Sequence, residues 1–269
     1  MTVLPIHNAA CTAEIHLNGA HITSWHPRGA GEVLWLSERA VFAPGVPIRG
    51  GIPLCWPWFG PHPSDPLAKA HGFARTREWT LDQINEAVDE THVRLVLRSD
   101  DETRALWPHE FELLLDAVFG VTLDVALTTR NIGAAPFTIT EALHTYLGVS
   151  DVRSVAVDGL AGARYADKVV GCDDVQSESL LRFSGETDRV YATANDCVVI
   201  NGARRVRITK RGSGSTVVWN PWIEKAARMA DFGDDEWTSM LCVEAANALD
   251  AAVTVAPGAL HTIATTIQC

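Results

Sequence analysis

Phe111-Glu112-Leu113-Leu114-Leu115, followed by Val121-Thr122-Leu123-Asp124-Val125-Ala126-Leu127, settles the fold class. Apolar residues fall on every second position: Phe111, Leu113 and Leu115, then Val121, Leu123, Val125 and Leu127. A repeat of two is the mark of an extended chain with one buried face. The same alternation precedes them at Val93, Leu95 and Leu97. Between these runs, Asp101–Leu106 predicts one short helix, stopped by Pro108, whose ring cannot continue it.

Working outward, more strands follow at short intervals. Asn18-Gly19, between Glu14–Leu17 and Ala20–Trp25, predicts a hairpin with a type I′ turn. Glu32–Leu36, Phe137–Val149, Asp151–Val157, Cys197–Ile200, Val206–Lys210, Thr216–Trp219, Leu241–Ala245, Val253–Val255 and Leu260–Ile267 all read as strands. Asp167–Ser179 reads as an acidic loop and Ile223–Met229 as a short helix. No composition break, linker or internal repeat divides the chain. The expectation is a single domain over residues 1–269, all-β, a large antiparallel β-sandwich with a few short helices.

Composition narrows the function. The formal charge of −11 over 269 residues opposes nucleic acid and anionic membranes as partners. No run approaches a membrane span, and Met1–Glu14 lacks the pattern of a signal peptide. The six cysteines form no C-x-x-C pair, which fits buried thiols in a reducing cytoplasm. The histidines at 16, 21 and 26 alternate faces of an extended chain, so no metal is expected there. No hydrolase elbow, phosphate loop, dinucleotide fingerprint or zinc-protease motif occurs, so no cofactor is expected. What remains is His, Glu, Asp and Arg, suited to proton transfer.

Pro47-Ile48-Arg49-Gly50-Gly51-Ile52-Pro53-Leu54-Cys55-Trp56-Pro57-Trp58-Phe59-Gly60 stands apart. Its prolines and glycines disfavour a helix or central strand. Its aromatics suit either a pocket wall or an ordered cover on the core, and Trp56 and Trp58 could serve a sugar or the core. Ala70-His71-Gly72-Phe73-Ala74-Arg75 implies a close backbone approach at Gly72. In Phe137–Val149, Ile139, Leu143 and Leu147 share one face; Thr140, His144 and Tyr146 share the other. That pattern fits a core wall backed by a cleft wall, with His144 either in the cleft or simply at the surface. In Leu241–Ala245, Glu244 stands among small residues. A carboxylate there must be paired or used, because burying a lone charge is costly.

Together these blocks resemble the aldose 1-epimerase superfamily, specifically its hexose-6-phosphate mutarotase branch. The resemblance rests on Ile48–Pro53, Trp56–Gly60, His71–Arg75, Ala142–Tyr146, Asp188–Tyr191, Val218–Trp222 and Cys242–Asn247, and covers nearly the whole chain. It implies a sandwich with a concave sugar-binding face and interconversion of α and β anomers. It further implies Glu244 as general base, His144 as general acid, Asp188 and His71 against the sugar hydroxyls, and Arg49 and Arg75 on the phosphate. A nearby carboxylate is expected to favour protonated His144. The expected partner is a small sugar phosphate, and the protein is expected to be a monomer. A mutarotase for neutral aldoses and a non-catalytic sugar-binding module are the alternatives.

Overall fold

The computed structural model describes residues 1–269, and its regular structure is mostly strand, paired antiparallel throughout its sheets. One large sheet has nine strands. Its centre is Phe111–Phe119, Leu123–Asn131 and Leu260–Gln268, and Thr80–Glu86 and Leu181–Arg182 form its edges. The alternating residues that fixed the fold class are buried here: Phe111, Leu113, Leu115, Leu123, Val125 and Leu127. Val121 is the exception. It lies in the turn before Leu123 and is exposed. Asp101–Leu106 is the expected helix, capped by Asp100, whose side chain accepts from Thr103 N.

The second large sheet has eight strands and positions the site. It runs Cys172–Val175, Arg164–Asp167, Thr187–Tyr191, Ser215–Asn220, Met240–Asn247, Glu141–Leu143 and Leu54–Cys55. Tyr146–Gly148 also pairs with Met240–Asn247. One face of this sheet, with Leu143, Val218 and Val243, shares a buried cluster with Leu95, Leu113 and Ile208 of the nine-stranded sheet. That shared core makes the sandwich. The other face carries a small separate cluster of Cys55, Ala142, Val190, Val217 and Ala246, against which Phe59 packs.

Several expectations are corrected. The hairpin exists, but the turn is not a two-residue type I′. His16 pairs with His21 across Leu17–Ala20, and positive φ falls on Gly19 and Ala20. Asn18 is instead buried: its side chain donates to Val46 O and accepts from Gly45 N, anchoring a neighbouring loop. Glu32–Leu36 makes only isolated bridges, Leu34 to Leu147 and Leu36 to Gly50. Asp151–Val157 begins as a 3₁₀ turn, Val152–Ser154, because the Asp151 side chain accepts from Arg153 N. The acidic stretch Asp167–Ser179 contains a true edge strand, Cys172–Val175.

Phe137–Val149 is broken into Phe137–Ile139, Glu141–Leu143 and Tyr146–Gly148. The breaks lie against the proline-rich loop. Its own short strand Leu54–Cys55 pairs with Ala142 and Leu143, and on either side Thr140 N donates to Pro57 O and His144 N to Pro53 O. Within that loop Trp56 and Trp58 belong to the core, with Trp56 ring-to-ring against Phe73, Trp107 and Phe111. Gly72 explains the close approach read from the sequence: at φ +68, an added Cβ would stand 1.8 Å from Trp56 O. Gly72→Ala therefore has to displace the loop or break the contact. Urea unfolding should show a loss of more than about 2 kcal/mol; a loss below about 0.5 kcal/mol would show that the approach is not needed.

Candidate active site

Strand register brings the sequence-predicted residues together. In the eight-stranded sheet Asp188 pairs with Trp219, Trp219 with Cys242, and Cys242 with Tyr146. Two residues along, Val190 pairs with Val217 and Val217 with Glu244. Met240–Asn247 pairs with Glu141–Leu143 and with Tyr146–Gly148 in one unbroken register, from Leu143 opposite Ala245 to Tyr146 opposite Cys242. Position 144 thus falls opposite position 244. Because side chains alternate along strands, Asp188, Trp219, Glu244, His144 and Tyr146 all rise from the face turned away from the shared core.

They line a hollow of about 440 Å³, together with Arg49, Phe59, His71, Lys168 and Lys225. Hollows of this size accept small ligands. A neighbouring hollow of about 580 Å³, lined by Arg164, Tyr165, Ser215 and Asp250 among others, is larger but holds no apposed acid and base.

His144 Nδ1 stands 3.4 Å from Glu244 Oε1. Glu244 is fully buried and neither carboxylate oxygen has a hydrogen-bond partner; His144 Nδ1 has none either. The imidazole is held flat against Tyr146, ring centroids 4.8 Å apart, with Trp219 edge-on to both. Burial raises the Glu244 carboxyl well above its ordinary range, and Asp188 adds to the effect. Burial also drives His144 well below its ordinary value, helped by His71, Arg75 and Arg49. Against the expectation of a carboxylate-stabilised imidazolium, burial moves both groups toward their uncharged forms.

His71 adopts φ 65 and accepts from Gly60 N through Nδ1, which leaves Nε2 to carry the proton of the neutral ring. Burial, then Arg75, Lys168 and Arg49, bring its pKa down to about 3. His71 therefore stands as a neutral donor beside His144, ring centroids 5.8 Å apart. Burial raises the Asp188 carboxyl, against the pull of Lys168 and Lys225. Arg49 reaches the hollow, with its guanidinium paired to Asp231, at 3.1 Å, and donating to the Tyr146 hydroxyl, at 2.9 Å. Arg75 does not line the hollow, and its guanidinium donates to Ala70 O.

Sequence reasoning missed Tyr146 as a platform, Trp219 as a wall, and the lysines. Parity put Tyr146 on the cleft face with His144, but alternation cannot tell a floor from a core, and Trp219 was read only as the end of a strand. Lys168 lies in the turn after Arg164–Asp167 and Lys225 on the helix Trp222–Ala226, and their neighbours in the site are distant in sequence.

Residues 2–268 match the aldose 1-epimerase family, and the chain belongs to it. It is an epimerase, an isomerase of the mutarotase type. Among curated relatives, a protein of Cenchrus ciliaris provisionally named glucose-6-phosphate 1-epimerase is 40% identical over 262 residues, covering 92% of this chain and 78% of its own. A protein of Escherichia coli K12 with the same provisional name is 40% identical over 252 residues, covering 92% and 84%. A Salmonella typhimurium structure, provisionally described as a mutarotase, superimposes with a TM-score of 0.93 at 34% identity, covering 99% of this chain and 89% of that one. A galactose mutarotase-related enzyme of Lactobacillus acidophilus shares the fold, with a TM-score of 0.78 at 13% identity, covering 99% and 97%.

The shifted pair makes stability depend on pH. Folded Glu244 holds its proton more tightly than the unfolded chain does, so this residue favours folding below the ordinary carboxyl range. That advantage is lost as pH rises through the raised pKa. His144 acts oppositely, favouring folding above its ordinary value and losing that contribution as pH falls. Glu244→Gln removes the alkaline loss. In urea titrations the variant should gain on the wild type by more than about 1 kcal/mol between about pH 5 and about pH 8; a constant difference would contradict the raised carboxyl.

Proposed function

We propose that the protein interconverts the α and β anomers of a hexose 6-phosphate, such as glucose 6-phosphate, by general acid/base ring opening and closure. The reading rests on one observation: an imidazole and a carboxyl, 3.4 Å apart and unpartnered, face a hollow lined by cations. The provisional names of the relatives point to the same substrate.

Ring opening removes a proton from the C1 hydroxyl and delivers one to the ring oxygen. The aldehyde then rotates about C1–C2, and closure on its other face reverses both transfers. His144 and Glu244 share one proton beyond the one the neutral imidazole keeps. Burial favours the uncharged arrangement; bound sugar hydroxyls supply the hydrogen bonds that stabilise a Glu244 carboxylate and a His144 imidazolium. Glu244 then takes the hydroxyl proton and His144 gives one to the ring oxygen. Neutral His71 and Asp188 orient the hydroxyls. Arg49, fixed by Asp231, holds Tyr146 beneath the reacting ring and presents its remaining donors to the substrate. Arg75 acts from behind His71, its charge helping to keep that ring neutral.

A neutral-aldose mutarotase is the second reading, favoured by the neutralisation of Arg49 by Asp231. Exchange NMR on anomers of glucose 6-phosphate and of glucose separates the two. The wild type should accelerate exchange of the phosphorylated sugar far more than that of glucose. Glu244→Gln and His144→Asn should each lower kcat by ~10²–10⁴-fold with the fold retained. Wild-type exchange no faster than in buffer would reject the function; equal rates on both sugars would favour the neutral substrate.

A further inference from the structure

We propose that His144, Cys242 and Glu244 form a binding site for a thiophilic divalent cation such as zinc, and that the bound ion switches off the acid/base pair. His144 Nδ1, Cys242 Sγ and a Glu244 carboxylate oxygen all lie within 4.8 Å of one another. All three residues are buried. Neither Glu244 oxygen has a hydrogen-bond partner within the protein, and His144 Nδ1 has none either. Cys242 is a buried free thiol that the proton transfers do not use. Nowhere else in the chain do three His, Cys, Asp or Glu side chains converge in this way. The metal site stands on this geometry alone; only its effect on catalysis rests on the mutarotase reading above.

Two adjacent strands supply the three ligands. Cys242 and Glu244 are two residues apart on Met240–Asn247, so their side chains leave the same face. His144 comes from the neighbouring chain, where Tyr146 pairs with Cys242 and Leu143 with Ala245. Zinc binds imidazole nitrogen and carboxylate oxygen at about 2.0–2.2 Å and thiolate sulfur at about 2.3 Å, so tetrahedral ligands stand about 3.3–3.7 Å apart. His144 Nδ1 and Glu244 Oε1 are already 3.4 Å apart. The imidazole is preset by its stacking on Tyr146, and a small rotation of the Cys242 side chain completes the set. His144 and Glu244 line the hollow, so the fourth position opens there to water or a sugar hydroxyl. Nitrogen, sulfur and oxygen donors together select zinc or cobalt(II) over the hard cations magnesium and calcium. On binding, the Cys242 thiol gives its proton to solvent. Thiolate and carboxylate then balance the two charges of the ion, and the imidazole binds neutral, so no net charge is buried. The ion is an inhibitor: it occupies the carboxylate that would accept the C1 hydroxyl proton and holds the imidazole uncharged.

The test uses the full-length protein in a Cys172→Ser, Cys269→Ser background, which removes the two exposed thiols. Cobalt(II) reports the ligands, because a thiolate bound to it gives a sulfur-to-metal absorption band in the near ultraviolet. Cobalt chloride should produce this band, and Cys242→Ala should abolish it. Zinc chloride should displace the cobalt, whereas magnesium chloride should not. In anomer exchange, zinc should inhibit and EDTA should restore the rate. Cys242→Ala should keep most of the zinc-free rate and need at least about tenfold more zinc for the same inhibition, since even the partners of metal ligands are worth about 10- to 100-fold in affinity. Glu244→Gln, which leaves the thiol in place, should weaken cobalt binding by at least about tenfold and keeps the test open if Cys242→Ala does not fold. The absence of the band, an equal band in Cys242→Ala, or zinc inhibition within about twofold of the background in that variant would overturn the site. The cobalt readings need no substrate. A protein that binds cobalt through Cys242 yet exchanges no hexose anomers would refute the catalytic reading and leave the metal site standing.

Discussion

One strand pairing carries the site. Between Leu143–Ala245 and Tyr146–Cys242 the register does not slip, so an imidazole and a carboxyl a hundred residues apart in sequence are set opposite each other. A shift of one residue on either strand would turn one of them into the core and leave a buried polar group with no counterpart. The two groups are buried, and neither the Glu244 carboxyl nor His144 Nδ1 finds a hydrogen-bond partner within the protein. An ionised carboxylate is costly there, and burial pushes both groups toward their uncharged forms. The same burial that opposes charge strengthens every interaction the pair makes with a substrate.

The proline- and glycine-rich loop holds this pairing in place. Pro53 and Pro57 cannot donate to a ladder, yet their carbonyls accept from His144 N and Thr140 N. The loop therefore acts as a one-sided neighbour to a strand that would otherwise be a free edge. Trp56 anchors it in the core, with Nε1 donating to Thr129 Oγ1 of the other sheet, while Phe59 alone of its aromatics turns to the hollow. His71 and Gly72, both at positive φ, hold the opposite wall tight against Trp56. Backbone strain of this kind persists only where the surroundings over-determine it.

The fold class was legible because Phe111–Leu127 writes burial directly into alternation. The catalytic pair was legible in part: parity put His144 with Tyr146 and Glu244 with Cys242, and the scarcity of large neighbours around Glu244 marked it as a carboxylate with a use. Local chemistry misled where a distant partner decided the outcome. Asn18-Gly19 looks like a turn pair, but Asn18 is claimed by Gly45 and Val46. Cys172–Val175 looks like an acidic loop, but it completes a sheet edge against Arg164–Asp167. Arg49 looks like a free phosphate ligand until Asp231, far along the chain, is seen beside it. Charge in a sequence says nothing about which cation is already paired.

The account comes down to whether His144 and Glu244 behave as one buried, coupled pair. Nitrogen-15 NMR of His144 across a pH titration, in the wild type and in Glu244→Gln, reads this directly. The account predicts that the wild-type imidazole stays uncharged well below its ordinary pKa, and that the substitution at 244 shifts its ring-nitrogen signals. An ordinary titration near about pH 6.5, unchanged by the residue at 244, would contradict it.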